Sequence, residues 1–368
     1  MDSASRAEIE NRAASGNTRA QLELASLLDK AGDLEGTRVW LERAAESGDP
    51  LSCTLLGEVL LSRTPYDVPR GVDLICRATA AGNARATHLA ALLAAAGVRE
   101  PQSWPKALEL VSKAAQGGWH LAQDTIGVTS SKQPLGYNAI RARSSDPGLW
   151  QSLSQAIDLA PFFHAPPAQI IRMQPRIATV PGFLPSGICE WLIGRAKPSL
   201  INAEVYDAES GRLVVDPNRN NRAALFPLVL SDLILLLVRE RIARAIGRPS
   251  GFMEQPAVLN YRPGEQYSPH YDFCDPNLPG PAKDAAENGQ RVLTFLIYLN
   301  DDYSGGETDF PRLPWRFRGR KGDALFWWSV DAAGRPDQST LHAGLPPQSG
   351  EKWLFSQWVR DRPEVLYR

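Results

Sequence analysis

Hydrophobic and polar positions follow two regimes along the chain. In the first 125 residues alanine and leucine recur at helical spacing, in "AASGNTRAQLELASLL" from Ala13, "AAESGDPLSCTLLGEVL" from Ala44, "ATAAGNARATHLAALL" from Ala78 and "AAQGGWHLAQDTIG" from Ala114. Each stretch has a small pair, then a glycine, then an apolar helical face. The glycines Gly16, Gly48, Gly82 and Gly118 are spaced by 32, 34 and 36 residues. A period in the mid-thirties built from paired helices predicts an α-solenoid. The alanines let paired helices approach closely, and each glycine can adopt the left-handed conformation that ends a helix.

Residues 126–170 lose that period. "TSSKQPLGYNAIRARSSDPGLW" and "APFFHAPPAQ" are rich in Ser, Pro and Gly and predict a linker with a helix near 149–159. His164, set between aromatic and proline residues, is read as packing rather than as a ligand. From about Ile171 the pattern turns to strands and aromatics. "SGICEWLIGRAKPSL" and "LSDLILLLVRERIARAIG" keep helical spacing, whereas "PAVLNYRPG", "RVLTFLIYLND", "DALFWWSV" and "KWLFSQWVR" have strand composition. Two helices followed by many short strands predict an antiparallel barrel or jelly roll braced by helices. The expectation is an α+β multidomain chain: helical repeats over 1–125, a linker over 126–170 and a β-rich domain over 171–368. The repeat segment resembles Sel1-like repeats, relatives of the tetratricopeptide repeats.

Composition narrows the function little. The chain has 368 residues, 43% hydrophobic and 22% charged, with a formal net charge of -1. That balance offers no global attraction to nucleic acid or anionic membrane. The four cysteines (Cys53, Cys76, Cys189, Cys274) show neither metal-type spacing nor the density of a disulfide framework. The charged start lacks an apolar core and is not read as a secretory signal. The run "LILLLV" at 233–238 is too short to span a bilayer and is read as a buried helix face. The expected compartment is the reducing cytoplasm, with no membrane and no nucleic-acid partner.

Chemistry concentrates in "YRPGEQYSPHYD". On an extended strand residues two apart share a face, so His270 and Asp272 would project inward and Tyr271 outward. A catalytic metal needs a third ligand, and of the five histidines the candidate is His342 in "STLHAGLPPQSGEKW". Two histidines and a carboxylate form the facial triad of non-heme Fe(II) oxygenases; zinc accepts the same donors, which leaves a hydrolase as an alternative. Lys352, one of eight lysines, lies in an aromatic-rich strand ten residues after His342. A buried lysine there needs an anionic partner, which a dicarboxylate co-substrate would supply; a snorkelling surface lysine is the competing reading.

The segment from about 175 to 362 resembles the catalytic domain of collagen-type prolyl 4-hydroxylases. The resemblance rests on "YRPGEQYSPHYD", "NGQRVLTFLIYLND", "GGETDFP", "RKGDALFWWSVDAAGRPDQSTLHAGLPPQSGEKWLFSQWVR" and, more loosely, "DPNRNNRAALF". It implies a double-stranded β-helix and a dioxygenase using Fe(II), 2-oxoglutarate and O2, with ascorbate as a candidate reductant. His270, Asp272 and His342 match the iron ligands, and Lys352 matches the lysine that pairs with the distal carboxylate of 2-oxoglutarate. Tyr261 and Thr294 match hydroxyl-bearing residues that assist it. Glu254, Tyr267 and Trp358 fall where the family contacts its substrate peptide, although aromatic packing explains Tyr267 and Trp358 as well.

The family's substrate loop reads Arg-Thr-Ser, whereas this chain has Arg219-Asn220-Asn221-Arg222. Arg219 and the added Arg222 are candidates for contact with substrate, Arg222 for an acidic group. The resemblance implies hydroxylation of a peptidyl proline, with the solenoid suited to hold an extended peptide or protein. The altered loop keeps open a non-proline residue, a free amino acid or a peptide natural product as the target. A repeat scaffold with a silent barrel is the non-enzymatic alternative. Oligomeric state is not encoded in these features.

Overall fold

A computed structural model describes residues 3–130, 147–206, 213–216 and 218–367. The chain divides into two compact units, one formed by residues up to 157 with Leu228–Leu233, the other by the remainder. Among the described residues no helix is long and apolar enough to cross a membrane.

The first unit is a stack of helical hairpins: α1 (Ser3–Ala14) with α2 (Thr18–Lys30), α3 (Leu34–Glu46) with α4 (Pro50–Ser62), α5 (Val68–Ala80) with α6 (Ala84–Ala96), and α7 (Trp104–Gln116) with α8 (His120–Thr129). The four periodic glycines occupy the turns within the hairpins, all at positive φ between 75° and 89°. Such angles burden any residue with a Cβ, which is why the glycine recurs. In three turns the next residue caps the following helix: Asn17, Asp49 and Asn83 accept the backbone N–H of Ala20, Ser52 and Ala86. The second and third hairpins are tied by two ion pairs at a similar sequence offset, Arg70 to Glu42 and Arg85 to Glu58. The helical unit runs beyond the expected boundary at 125. Helix α9 (Pro147–Gln155) falls where a linker helix was expected, but its Trp150 is 1% exposed and the Trp150 carbonyl accepts a hydrogen bond from Ser112. An apolar anchor of that size adds the helix to the repeat stack. Residues 131–146, the centre of the expected linker, lie outside the described residues.

The second unit is built on two antiparallel sheets. The larger has eight strands in the order Gln169–Met173, Arg176–Val180, Ala324–Trp328, Arg291–Tyr298, Lys352–Arg360, Ala257–Tyr261, Arg222–Leu225 and Ile201–Asn202. The smaller has four, in the order Trp315–Phe317, Thr308–Phe310, His342–Gly344 and Tyr267–His270. Their facing sides share one core, with Leu259, Leu296, Tyr298, Leu325, Trp327 and Leu354 from one sheet against Phe310 and its neighbours from the other. Two facing antiparallel sheets agree with the barrel or jelly roll anticipated from the strand pattern, and the four segments read as strands are strands. The two expected helices are Ser186–Ala196 and Leu233–Ile246, and Leu233 to Val238 are all buried. Buried guanidiniums in the second helix find acceptors: Arg239 donates to the Met253 carbonyl and Arg241 to that of Phe183.

Period two decides what each strand contributes. Along Lys352–Arg360, residues 352, 354, 356, 358 and 360 line an interior cavity, while Trp353, Phe355, Gln357 and Val359 are buried on the opposite side. Ala223, Ala257 and Ser356 hold inward positions in neighbouring strands. Their small side chains leave unfilled the space that larger residues would close.

Candidate active site

The cavity has a volume of about 520 Å³. His270, Asp272 and His342 converge on it, with one donor atom from each lying within 4.8 Å of the others. The fold achieves this by pairing: His342 is the direct cross-strand partner of His270 in the smaller sheet. Asp272 arrives differently from the expectation. The strand ends at His270, and Asp272 stands in the bend that follows. Alternation therefore does not extend to Tyr271, which lines the cavity instead of facing away and stacks on Phe273.

Both imidazoles are held in one orientation. Nδ1 of His270 lies 2.8 Å from the Ser268 carbonyl and Nδ1 of His342 lies 3.0 Å from that of Thr340. A carbonyl can only accept, so Nδ1 carries the hydrogen and Nε2 presents its lone pair inward. The Nε2 atoms lie 3.6 Å and 3.3 Å from the two carboxylate oxygens of Asp272. Burial and the neighbouring His342 push His270 down to about 4, against the pull of Asp272, so its ring is neutral at physiological pH. Burial would raise the Asp272 carboxyl, but the two imidazoles outweigh it and hold the acid well below the usual carboxylate range. The neutral His270 ring and the ionised Asp272 carboxylate are in the states that bind a divalent metal. Among the described residues this is the one cluster of three such side chains.

Lys352 is fully buried and its Nζ has no hydrogen-bond partner. Burial lowers it to about 7, with Glu307 opposing that shift. It pairs across the sheet with Tyr261, and Nζ stands 5.1 Å and 5.8 Å from the ring centroids of Tyr261 and Tyr298. An orphaned ammonium in the lining of a cavity calls for an anion.

The second hydroxyl in that corner is not the expected one. Thr294 donates to Asp272 Oδ2 at 2.6 Å, because its strand register places it opposite Trp327 and Trp358, four residues along from the row of Tyr298. Thr294 thus braces Asp272. Thr308 stands nearer Lys352: it bonds the Tyr298 hydroxyl at 2.8 Å, lines the cavity and pairs with Gly344, whose added Cβ would lie 3.4 Å from the Tyr261 hydroxyl.

The residues assigned to substrate separate into two groups. Tyr267 lines the cavity, stacks on His270 with centroids 3.4 Å apart, and carries Arg219 over its ring. Arg219 is buried and donates to the Glu204 carbonyl. Trp358 also lines the cavity, under the Arg291 guanidinium at 3.7 Å. Arg222 does not reach it. Strand alternation turns Arg222 to the other face, where it bonds Asn260, and Asn260 donates to Glu351. Nor is Glu254 free to meet substrate: Arg291 holds it in a fork at 2.6 Å and 3.0 Å, and Arg360 Nε stands 2.8 Å away. Arg291, Arg360 and Asp284 escaped the sequence reading, although Arg360 has the same strand parity as Lys352 and Trp358, which was signal enough.

Residues 256–360 match the family model described as the 2OG-Fe(II) oxygenase superfamily. Over 210 residues the chain is 31% identical to a probable prolyl 4-hydroxylase 3 of Arabidopsis thaliana, an alignment covering 52% of this chain and 71% of the relative. The chain belongs to the 2OG-Fe(II) oxygenase superfamily. This oxygenase is also 32% identical over 195 residues to the prolyl 4-hydroxylase subunit alpha-1 of Rattus norvegicus, covering 53% of this chain and 36% of the rat protein. The match therefore spans only about a third of that longer relative. A solved structure of the viral collagen prolyl hydroxylase of Paramecium Bursaria Chlorella virus-1 is similar at 30% identity and a TM-score of 0.38, covering 50% of this chain and 95% of that one.

The oxygenase's own residues fit the cofactors of its family. Two imidazole nitrogens and a carboxylate converged on one point suit Fe(II), and the unpartnered Lys352 ammonium, with Tyr261 and Thr308 beside it, suits the far carboxylate of 2-oxoglutarate.

Proposed function

We propose that this chain is a 2-oxoglutarate- and Fe(II)-dependent peptidyl-proline 4-hydroxylase. The observation that carries the reading is the buried, unpartnered Lys352 ammonium in the same cavity as His270, Asp272 and His342. A zinc hydrolase would use the triad and leave that lysine unexplained. The relatives named prolyl 4-hydroxylases support the choice of proline.

His270 and His342 would hold the metal through Nε2, and Asp272 through its carboxylate, with Thr294 fixing one carboxylate oxygen. Lys352 would neutralise the co-substrate's distal carboxylate, with the Tyr261 and Thr308 hydroxyls completing its hydrogen bonds. Bound there, Fe(II), 2-oxoglutarate and O2 supply the oxidising chemistry that places a hydroxyl on a C–H bond and releases succinate and CO2. Tyr267 and Trp358 wall the route from solvent and orient the peptide above the triad. Arg291 and Arg360 position this wall: Arg291 packs on Trp358, and both anchor Glu254. The helical repeats would engage a longer stretch of the peptide or protein that carries the target. The cytoplasm is the proposed compartment, in keeping with four cysteines that are all free thiols.

Incubation with proline-containing peptides, Fe(II) and 2-oxoglutarate tests the reading. The expected result is one added oxygen on proline and an equal amount of succinate. Coupled succinate with the oxygen on another residue or on a free amino acid would assign the alternative target. Succinate release that no peptide or amino acid stimulates would reject both.

A further inference from the structure

The cavity continues past the triad along the inner face of the larger sheet. Strand register defines its wall. Ser356 lies opposite Ala257 and Ala257 opposite Leu225, while Leu354, Leu259, Ala223 and Ile201 form the adjacent row. All of them line the cavity. On the two outermost strands Ile201, Ala223 and Leu225 are aliphatic and Asn202 is the one polar residue that lines the cavity. Ala257 and Leu259 continue the aliphatic rows inward, and the charged Glu204 and Arg219 line the cavity from outside these strands. Ile201 is 58% and Leu225 42% exposed, so two large aliphatic side chains stand uncovered beside two alanines that leave a trough. The charged lining residues on the side of Trp358 are satisfied by one another, Glu254 with Arg291 and Asp284 with Arg360.

We infer that this wall is a subsite for an aliphatic side chain of the substrate peptide, several residues from the carbon that is oxidised. The inference rests on the peptide-hydroxylase reading and adds to it a sequence requirement. The occupant is committed by continuity, since the trough opens from the catalytic cavity itself, and by chemistry, since Ile201, Ala223, Leu225, Ala257 and Leu259 offer an entering side chain apolar contact and no side-chain hydrogen bond. Strands lie about 4.8 Å apart and advance about 3.3 Å per residue. From Thr294, which touches Asp272, Ala257 is two strands and Leu225 three strands away, one row over. That places the trough about 12 to 16 Å from the metal ligands, or about three to five residues along an extended peptide.

The test uses the full chain with Fe(II), 2-oxoglutarate and two peptide series that carry one target proline. Leu, Ala, Asp or Lys is placed at each of the third to fifth positions on either side. The expected result is a kcat/KM about tenfold or more higher for Leu than for Asp at one of these positions, expressed mainly in KM. The variant Leu225→Asp, a partly exposed site tolerant of charge, should lower the Leu preference and raise the Lys peptide several-fold. Ile170→Asp, on the far edge strand outside the cavity, should leave the preference as it is. Peptides hydroxylated equally whatever the flanking residue, or a preference that Leu225→Asp does not change, would overturn the subsite while leaving the hydroxylase reading intact. Failure of every peptide to be hydroxylated would overturn the reading and the subsite together.

Discussion

Lys352 and Tyr261 face each other across neighbouring strands, with the lysine Nζ 5.1 Å from the tyrosine ring centroid and without a hydrogen-bond acceptor. The ring face offers the ammonium weak attraction but cannot replace lost water. Substitution Lys352→Met should therefore move two quantities in opposite directions. The ligand-free protein should gain about 1 to 3 kcal/mol, because an uncompensated buried charge is replaced by a side chain of similar volume. Affinity for 2-oxoglutarate should fall about a hundredfold or more. Thermal unfolding and a 2-oxoglutarate titration in the presence of Mn(II) read the two effects; a variant that loses both stability and affinity would contradict the assignment.

The same lysine sets a pH dependence. Its folded value is near 7, whereas the unfolded chain titrates near 10.4. Between these limits the unfolded state binds more protons, so this group makes the ligand-free protein more stable as pH rises. Its burial penalty is fully present below pH 7 and gone above about 10.4. The slope should approach about 1.4 kcal/mol per pH unit within the window. Binding of 2-oxoglutarate should show the reverse trend and weaken above about pH 7, because the carboxylate needs the ammonium form. Denaturant midpoints and dissociation constants measured from pH 6 to 9, with Lys352→Met as the flat reference, check both signs.

Thr294 and Thr308 should separate into two phenotypes. Thr294→Val removes the donor to Asp272 and should weaken metal binding about 10- to 100-fold, with a smaller effect on the 2-oxoglutarate KM at saturating metal. Thr308→Val should raise that KM and leave metal affinity nearly intact. Metal titrations monitored by protein fluorescence, set beside 2-oxoglutarate kinetics, distinguish them.

Metal should also stabilise the fold. A divalent ion binds the converged donors of the native state and not the dispersed donors of the unfolded chain, giving about 2.7 kcal/mol at a free concentration one hundred times Kd. Chelation should lower the melting temperature of the wild-type protein by several degrees and leave that of His342→Ala unchanged. An equal response in both proteins would place the bound metal elsewhere.

Much of this organisation could be read from the chain because each signal reports a local constraint. Gly16, Gly48, Gly82 and Gly118 recur because the hairpin turns demand positive φ, and that demand acts on one residue at a time. His270, His342 and Lys352 were legible because histidine and lysine are scarce in this chain, and Asp272 because it lies two residues from His270. The misreadings arose where pairing decides. Thr294 and Thr308 both point inward by strand parity, and only the register shows that one meets Asp272 and the other shares the corner of Lys352. Arg222 looked available until alternation turned it toward Asn260. Glu254 is bound by Arg291 and Arg360, which lie far along the chain from it, a distance no local pattern can bridge.

The floor made by Ala223, Ala257 and Ser356 has a consequence for how such a protein can change. The three converged donors come from the smaller sheet and the bend after it, while the width of the chamber is governed by these short side chains on the opposite sheet. Reactivity and admission are thus assigned to different positions. A single substitution by a bulkier residue along that row would redraw which targets fit, with the oxidising machinery untouched, so new selectivities lie one mutation apart from the present one.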